Sequence, residues 1–259
     1  MMYKYPVLIC ILFTVGCGVP SPSDSTQVPA NLFSQVTNIS PGGVTPAIAS
    51  PTSQGSLFAD LGTVLFRDDF DGSLDPEWDW VREDASKWSL TAFPGSLQVI
   101  VGPGHVNSSN NSNLLVRAIP AGNFVLETKV VFQPVANYQF AGLIIYESPS
   151  NFVQVGRAYC AGEIPRCIGD GFYMDYYEGG SFVAPNYSQS FTENTPVYLQ
   201  LIRRDTSYTL QTSTDGEIWT LCGTTTSNMI PLQIGLVTGQ NTSVELPAAF
   251  DYFEISTLP

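Results

Sequence analysis

From residue 64 onward the chain alternates apolar and polar positions in short runs. In "NFVLETKVVFQ", Phe124, Leu126, Thr128, Val130 and Phe132 share one side, with Glu127, Lys129 and Gln133 opposite. "VYLQLIRR" repeats the pattern, with Val197, Leu199 and Leu201 against Tyr198, Gln200 and Arg204. A period of two is the mark of a half-buried strand. "AGLIIY" is nearly continuous apolar and predicts a central strand, covered on both faces. Between the runs lie "ESPSN", "YEGGS", "RDTS" and "STDGE", whose Gly, Asn, Asp and Ser supply the backbone angles that hairpins need. Helical periodicity is confined to one turn near "LDPEW". The pattern predicts an all-β domain of two packed antiparallel sheets, a β-sandwich of the jelly-roll kind.

The first 62 residues read differently. "MMYKYPVLICILFTVGCG" carries one Lys, an apolar run from Val7 to Val15, and small residues around Cys17. That run is too short to span a bilayer and has the length of a signal-peptide core. "TVGC" resembles a bacterial lipobox, with Thr14 where Leu is usual, which implies a signal over 1–16 and a diacylated Cys17. The alternative is an ordinary cleaved secretory signal. Both send the protein out of the cytoplasm, and the first holds it on a membrane of the bacterial envelope through lipid alone. Residues 17–62 are rich in Ser, Thr, Pro and Gly, too poor in apolar surface to offset their chain entropy, and predict a flexible tether. Residues 63–259 then form the single folded head.

Composition narrows the partners. The formal charge is −13 with only 10 Lys+Arg, and nucleic acid is not expected, because phosphate binding needs basic clusters. Of five cysteines, Cys10 leaves with the signal and Cys17 takes lipid. "CAGEIPRC" has turn residues between its cysteines, so a Cys160–Cys167 bridge would close one loop for about 2.5 kcal/mol. The spacing and the absence of a nearby His argue against zinc. Cys222 is expected as a buried free thiol.

The stretch "FRDDFDGSLDPEWDW" mixes acids with large aromatics just where the tether ends. "DDFDGSLDPEWDWVREDASKWSL", "GSLQV", "NLLVR", "FAGLIIYESPSNFVQVGR", "YLQLIRR", "STDGEIW" and "AAFDYFEIS" follow in order. Together they resemble the concanavalin A-like C-terminal domain of family 43 glycoside hydrolases, the β-xylosidase type. The resemblance runs from about residue 64 to the end and implies a concanavalin A-like jelly roll. It differs in context, with a tether where a catalytic β-propeller is expected, so the head reads as an accessory domain standing alone. Trp78, Trp80 and Trp88 are read as anchors of the entry segment, with Arg82 stacking on or pairing with them. By resemblance to related sugar-binding jelly rolls, Asp251 with Asp69 or Asp71 would hold one structural calcium ion. The alternative is a solvated acidic loop.

Catalytic signals are sparse. His105 is the lone histidine and sits in "GPGHVNSSNNS", where it is expected as an exposed loop residue. A single His excludes multi-histidine zinc sites. Glu127, Asp175 and Glu254 each stand without the close-spaced acidic partners of the laminarinase-like jelly rolls. If the chain were an enzyme, glycoside hydrolysis would be its chemistry. The expected function is instead non-catalytic binding of polysaccharide on one sheet face, by Tyr146, Arg157, Tyr173, Asp175 and Tyr177, alone or beside a partner glycosidase. A structural envelope protein without ligand is the remaining alternative.

Overall fold

The computed structural model describes residues 62–162, 167–183, 187–239 and 243–258. The signal segment, Cys17 and the tether as far as residue 61 lie outside the described residues.

The alternating runs are strands. In chain order they are β1 (Val64–Asp68), β2 (Asp79–Val81), β3 (Trp88–Ser89), β4 (Leu97–Val101), β5 (Leu114–Ala118) and β6 (Phe124–Val131). Next come β7 (Phe140–Ser148), β8 (Asn151–Cys160), β9 (Gly169–Glu178), β10 (Ser181–Phe182) and β11 (Tyr187–Ser190). The chain closes with β12 (Val197–Arg204), β13 (Ser207–Ser213), β14 (Thr220–Thr226), β15 (Gln233–Gly239) and β16 (Leu246–Thr257). "LDPEW" is a turn rather than a helix, closed by the Trp78 N–H on the Asp75 carbonyl at 3.1 Å. The helical element among the described residues is a 3-10 turn, Val106–Ser108.

Two antiparallel sheets face each other. The first runs β14-β13-β12-β6-β16-β4-β3, with β1 also on β16. The second runs β10-β9-β8-β7-β15-β5-β2, with β11 on β9. "AGLIIY" lies in β7, between β8 and β15, the central place its continuous apolar run predicts. Hairpin "YEGGS" turns through Gly179 and Gly180 at φ +58° and +76°, where a side chain would be strained.

Strand parity decides which side chains meet. Phe124, Leu126 and Val130 of β6 and Val197, Leu199 and Leu201 of β12 point between the sheets. Leu143, Ile145, Val153, Val155, Phe172 and Met174 reach them from the second sheet. Each such side chain fully withdrawn from water contributes about 1.5–3 kcal/mol, and together they hold the sheets face to face.

The acids and aromatics of the entry segment interlock. Asp68 is buried, and its carboxylate accepts the N–H of Phe70 at 2.9 Å, the N–H of Asp75 at 3.1 Å and Trp78 Nε1 at 2.8 Å. Trp78 packs edge-on to Phe253 of β16, ring centres 5.0 Å apart, and to Phe66 at 5.8 Å. Arg117 of β5 lies 3.2 Å over the Phe66 ring and donates to Glu77 at 2.5 Å. Trp80 and Trp88 stack 5.1 Å apart, pack against the core and come from different sheets. The three tryptophans are anchors, and one acid is the hydrogen-bond hub that seats the segment.

Arg82 departs from expectation. It turns away from the tryptophans, and its Nε and Nη2 donate to the Asn111 carbonyl and Oδ1 at 2.6 and 2.5 Å. Cys222 is half-buried rather than buried and carries a free thiol.

Candidate functional site

The outer face of the second sheet is unusually apolar. By parity Leu114 and Val116 of β5, Ile144 and Tyr146 of β7, Phe152 of β8, Tyr173 of β9 and Val237 of β15 point away from the interior. They nevertheless form a buried cluster, which Val106 of the 3-10 turn joins from above. Segment 102–113 therefore lies across the β5, β15 and β7 side of this face. It is pinned by Arg82 on Asn111, by Asn111 Nδ2 on the Thr238 carbonyl at 3.4 Å, and by the Asn113 N–H on the Arg82 carbonyl at 3.1 Å. Gly104, at φ +119°, passes so close to Asn110 that a Cβ would stand 2.5 Å from its carbonyl oxygen.

The β8–β9 side stays open as a cleft of about 300 Å³. Its floor is Phe152 and Gln154 of β8 with Tyr173, Asp175 and Tyr177 of β9. His105 and Ser108 border it on one side, Phe182 of β10 lines it on another, and Tyr138 and Tyr159 complete the rim. Tyr177 stacks on Phe152 with rings 4.8 Å apart and 15° from parallel, and meets Phe182 edge-on at 5.4 Å. Gln154 Nε2 donates to Asp175 Oδ2 at 3.1 Å. Tyr173 gives the cleft its ring while its hydroxyl donates to the Gly169 carbonyl at 2.7 Å and accepts the Ile168 N–H at 3.1 Å. Cys160, bonded to Cys167, also lines the cleft.

His105 packs edge-on to Tyr138, ring centres 6.0 Å apart. Burial pushes its imidazole below the usual histidine range, against the opposing pull of the Asp175 carboxylate. A neutral imidazole offers one donor and one acceptor, the combination that suits hydroxyl partners.

Of the five residues expected on the binding face, Tyr173, Asp175 and Tyr177 line this cleft. Tyr146 shares the face but sits on its covered side, buried near Arg82. Arg157 is a correction. Its position in β8 turns it inward, and with 0 % exposure it has no atom to offer a ligand. Its Nη1 and Nη2 lie 2.6 and 2.9 Å from the two Asp170 oxygens, and Nη1 also donates to the Phe191 carbonyl. His105 is half-buried rather than exposed, and it lines the cleft together with Tyr138, Gln154 and Phe182, none of which the sequence pattern singles out for binding.

The carboxylates expected to share calcium are otherwise engaged. Asp251 accepts from Lys129 Nζ at 2.7 Å and from Ser96 Oγ at 3.3 Å, Asp69 pairs with Arg67 at 2.7 Å, and Asp71 is exposed. Among the described residues no three His, Cys, Asp or Glu side chains converge as a ligand set. These residues do not fit the expected ion, which would have to displace both cations. Glu127 and Glu254 face each other across β6 and β16 in the first sheet. Glu127 accepts from Tyr252 at 2.5 Å and Gln200 at 2.7 Å, and Glu254 pairs with Arg67 at 2.9 Å.

Fold and cleft define a concanavalin A-like β-sandwich with an aromatic pocket on one face. The chain belongs to the family of the β-xylosidase C-terminal concanavalin A-like domain, whose model matches residues 67–256. It is 35% identical over 117 residues to an Escherichia coli protein named "Putative beta-xylosidase", covering 44% of this chain and 18% of that one. The BlXynB protein of Bacillus licheniformis superposes with a TM-score of 0.65 at 22% identity, over 74% of this chain and 39% of that one. A xylan β-1,4-xylosidase of Bacillus halodurans gives 0.62 at 24%, over 73% and 38%. The chain thus spans less than half the length of these relatives. A functionally unknown protein of Saccharomyces cerevisiae gives 0.54 at 11% identity, over 71% of this chain and 97% of that one. In that protein the fold makes up nearly the whole chain.

Proposed function

We propose that this chain is a non-catalytic carbohydrate-binding lipoprotein of the bacterial cell envelope, tethered through Cys17 and holding polysaccharide weakly in the β8–β9 cleft. The observation that carries this reading is the cleft's lining. Tyr177, Phe182 and Tyr138 offer rings for the C–H faces of a sugar, and Gln154, Asp175 and His105 offer polar atoms for its hydroxyls. Asp175 is the one carboxylate among the described residues of that lining, whereas glycoside hydrolysis uses two across the scissile bond. Membership of a family associated with glycoside hydrolases supports carbohydrate as the ligand class, and a partner glycosidase acting on the same polymer fits that association.

Stacking a few sugar rings contributes only a few kcal/mol against the cost of ordering a flexible polymer. Many tethered copies engaging separate sites on one branched polymer would recover affinity through avidity. In affinity electrophoresis against xylan, arabinan and mixed-linkage glucan, the purified head should be retarded by at least one. Tyr177→Ala should abolish that retardation and Tyr177→Phe should preserve it. Retardation by none of a broad glycan set would favour a structural envelope protein. Reducing-sugar release abolished by a single carboxylate-to-amide change would make the chain an enzyme.

A further inference from the structure

We infer that the cleft recognises the end or a short branch of a polysaccharide, one or two sugar rings, and not the interior of a chain. This inference rests on the proposal that the cleft binds glycan, and it concerns which part of the polymer enters.

A chain interior needs a groove open at both ends, and across the strands this one is not. Here the strap 102–113 closes the β5, β15 and β7 side of the face. Leu114, Val116 and Ile144 point outward from the sheet, yet none has exposed surface. The strap is built to stay. Arg82 makes two hydrogen bonds to Asn111, Asn111 reaches the Thr238 carbonyl, and Val106 is inserted into the apolar cluster beneath. A polymer lying across β8 and β9 toward β7 would run into His105 and Val106 after the cleft's own width.

The size agrees. At about 300 Å³ the cleft lies at the bottom of the range of about 300–1,000 Å³ typical of small-ligand pockets. Phe182 belongs to β10, beyond β9 and on the opposite side of β7 from β5, so it lines the cleft away from the strap.

The test uses the folded head with xylo-, arabino- and mixed-linkage gluco-oligosaccharides of one to six rings, by calorimetry. For the series that binds, affinity per molecule should level off by two rings and change less than about twofold from two to six, because the strap stops further rings from crossing the sheet. Brief cleavage of the matching polysaccharide with an endo-acting hydrolase should raise binding capacity per gram in proportion to the ends created. An affinity that climbs about tenfold or more between two and six rings would overturn the inference and leave glycan binding intact. So would a binding capacity that falls as the polymer is cut. Binding to no oligosaccharide and no polymer would instead remove glycan binding itself, and this inference with it.

Discussion

Arg157→Ala should destabilise the head by about 3–5 kcal/mol, the cost of leaving one member of a buried ion pair without its partner. The guanidinium is wholly buried and spans the two Asp170 oxygens and the carbonyls of Phe191 and Glu193. Phe191 also lies 4.7 Å from it, so one side chain fastens the segment after β11 to β8 and β9. Burial pushes the Asp170 carboxyl up and the Arg157 guanidinium down, so both charged forms are held at a desolvation cost that the pairing and its backbone hydrogen bonds offset. Removing Arg157 removes the offset and keeps the cost. For a domain of this size each kcal/mol shifts the melting temperature by about 2–4 °C, giving a drop on the order of 10 °C by calorimetry. Replacing both partners, with Arg157→Met and Asp170→Leu, should recover most of it, since an apolar pair leaves no orphan charge. A single variant that melts with the parent would show that the pair is not desolvated as described.

The second large effect belongs to Asp68. Asp68→Ala leaves two backbone N–H groups and Trp78 Nε1 without their acceptor, at about 1–3 kcal/mol for each donor that stays buried. A total of about 3 kcal/mol allows for water reaching the part-buried N–H of Asp75. Asp68→Asn keeps an acceptor oxygen and should lose about half as much. Urea unfolding measures both. Equal midpoints for parent and Asp68→Ala would mean that the entry segment is seated by its aromatics alone.

These two sites show where sequence reading succeeds and stops. Alternation in β6 and β12 is a local property set by neighbouring side chains, so strand positions and faces followed directly from the order of residues. The continuous run of β7 marked its central place in the same way. Arg157 sits in an equally regular strand, "NFVQVGR", where parity with Val153 and Val155 assigns it to the interior. Its charge favours the surface, and the interior becomes tolerable through Asp170 on the neighbouring strand and the carbonyls of Phe191 and Glu193. Gln154, two residues after Phe152 and on its face, was recoverable from that same parity. His105 and Tyr138 were not, because long connections carry them to the cleft, and a loop's path depends on distant contacts such as Arg82 on Asn111. The acids of the entry segment are compatible in sequence with either a calcium site or a solvated loop, and the sequence does not show that Lys129, on another strand, pairs with Asp251 or that Arg67 pairs with Asp69.

The central claim is that glycan is held in the β8–β9 cleft, and mapping the backbone amide resonances of the head during titration with the best-binding oligosaccharide tests it most directly. Shifts should concentrate at His105, Gln154, Asp175, Tyr177 and Phe182 and saturate together at one ligand per head. Shifts centred on Glu127, Gln200 and Tyr252 of the opposite sheet, or none at saturating ligand, would contradict it.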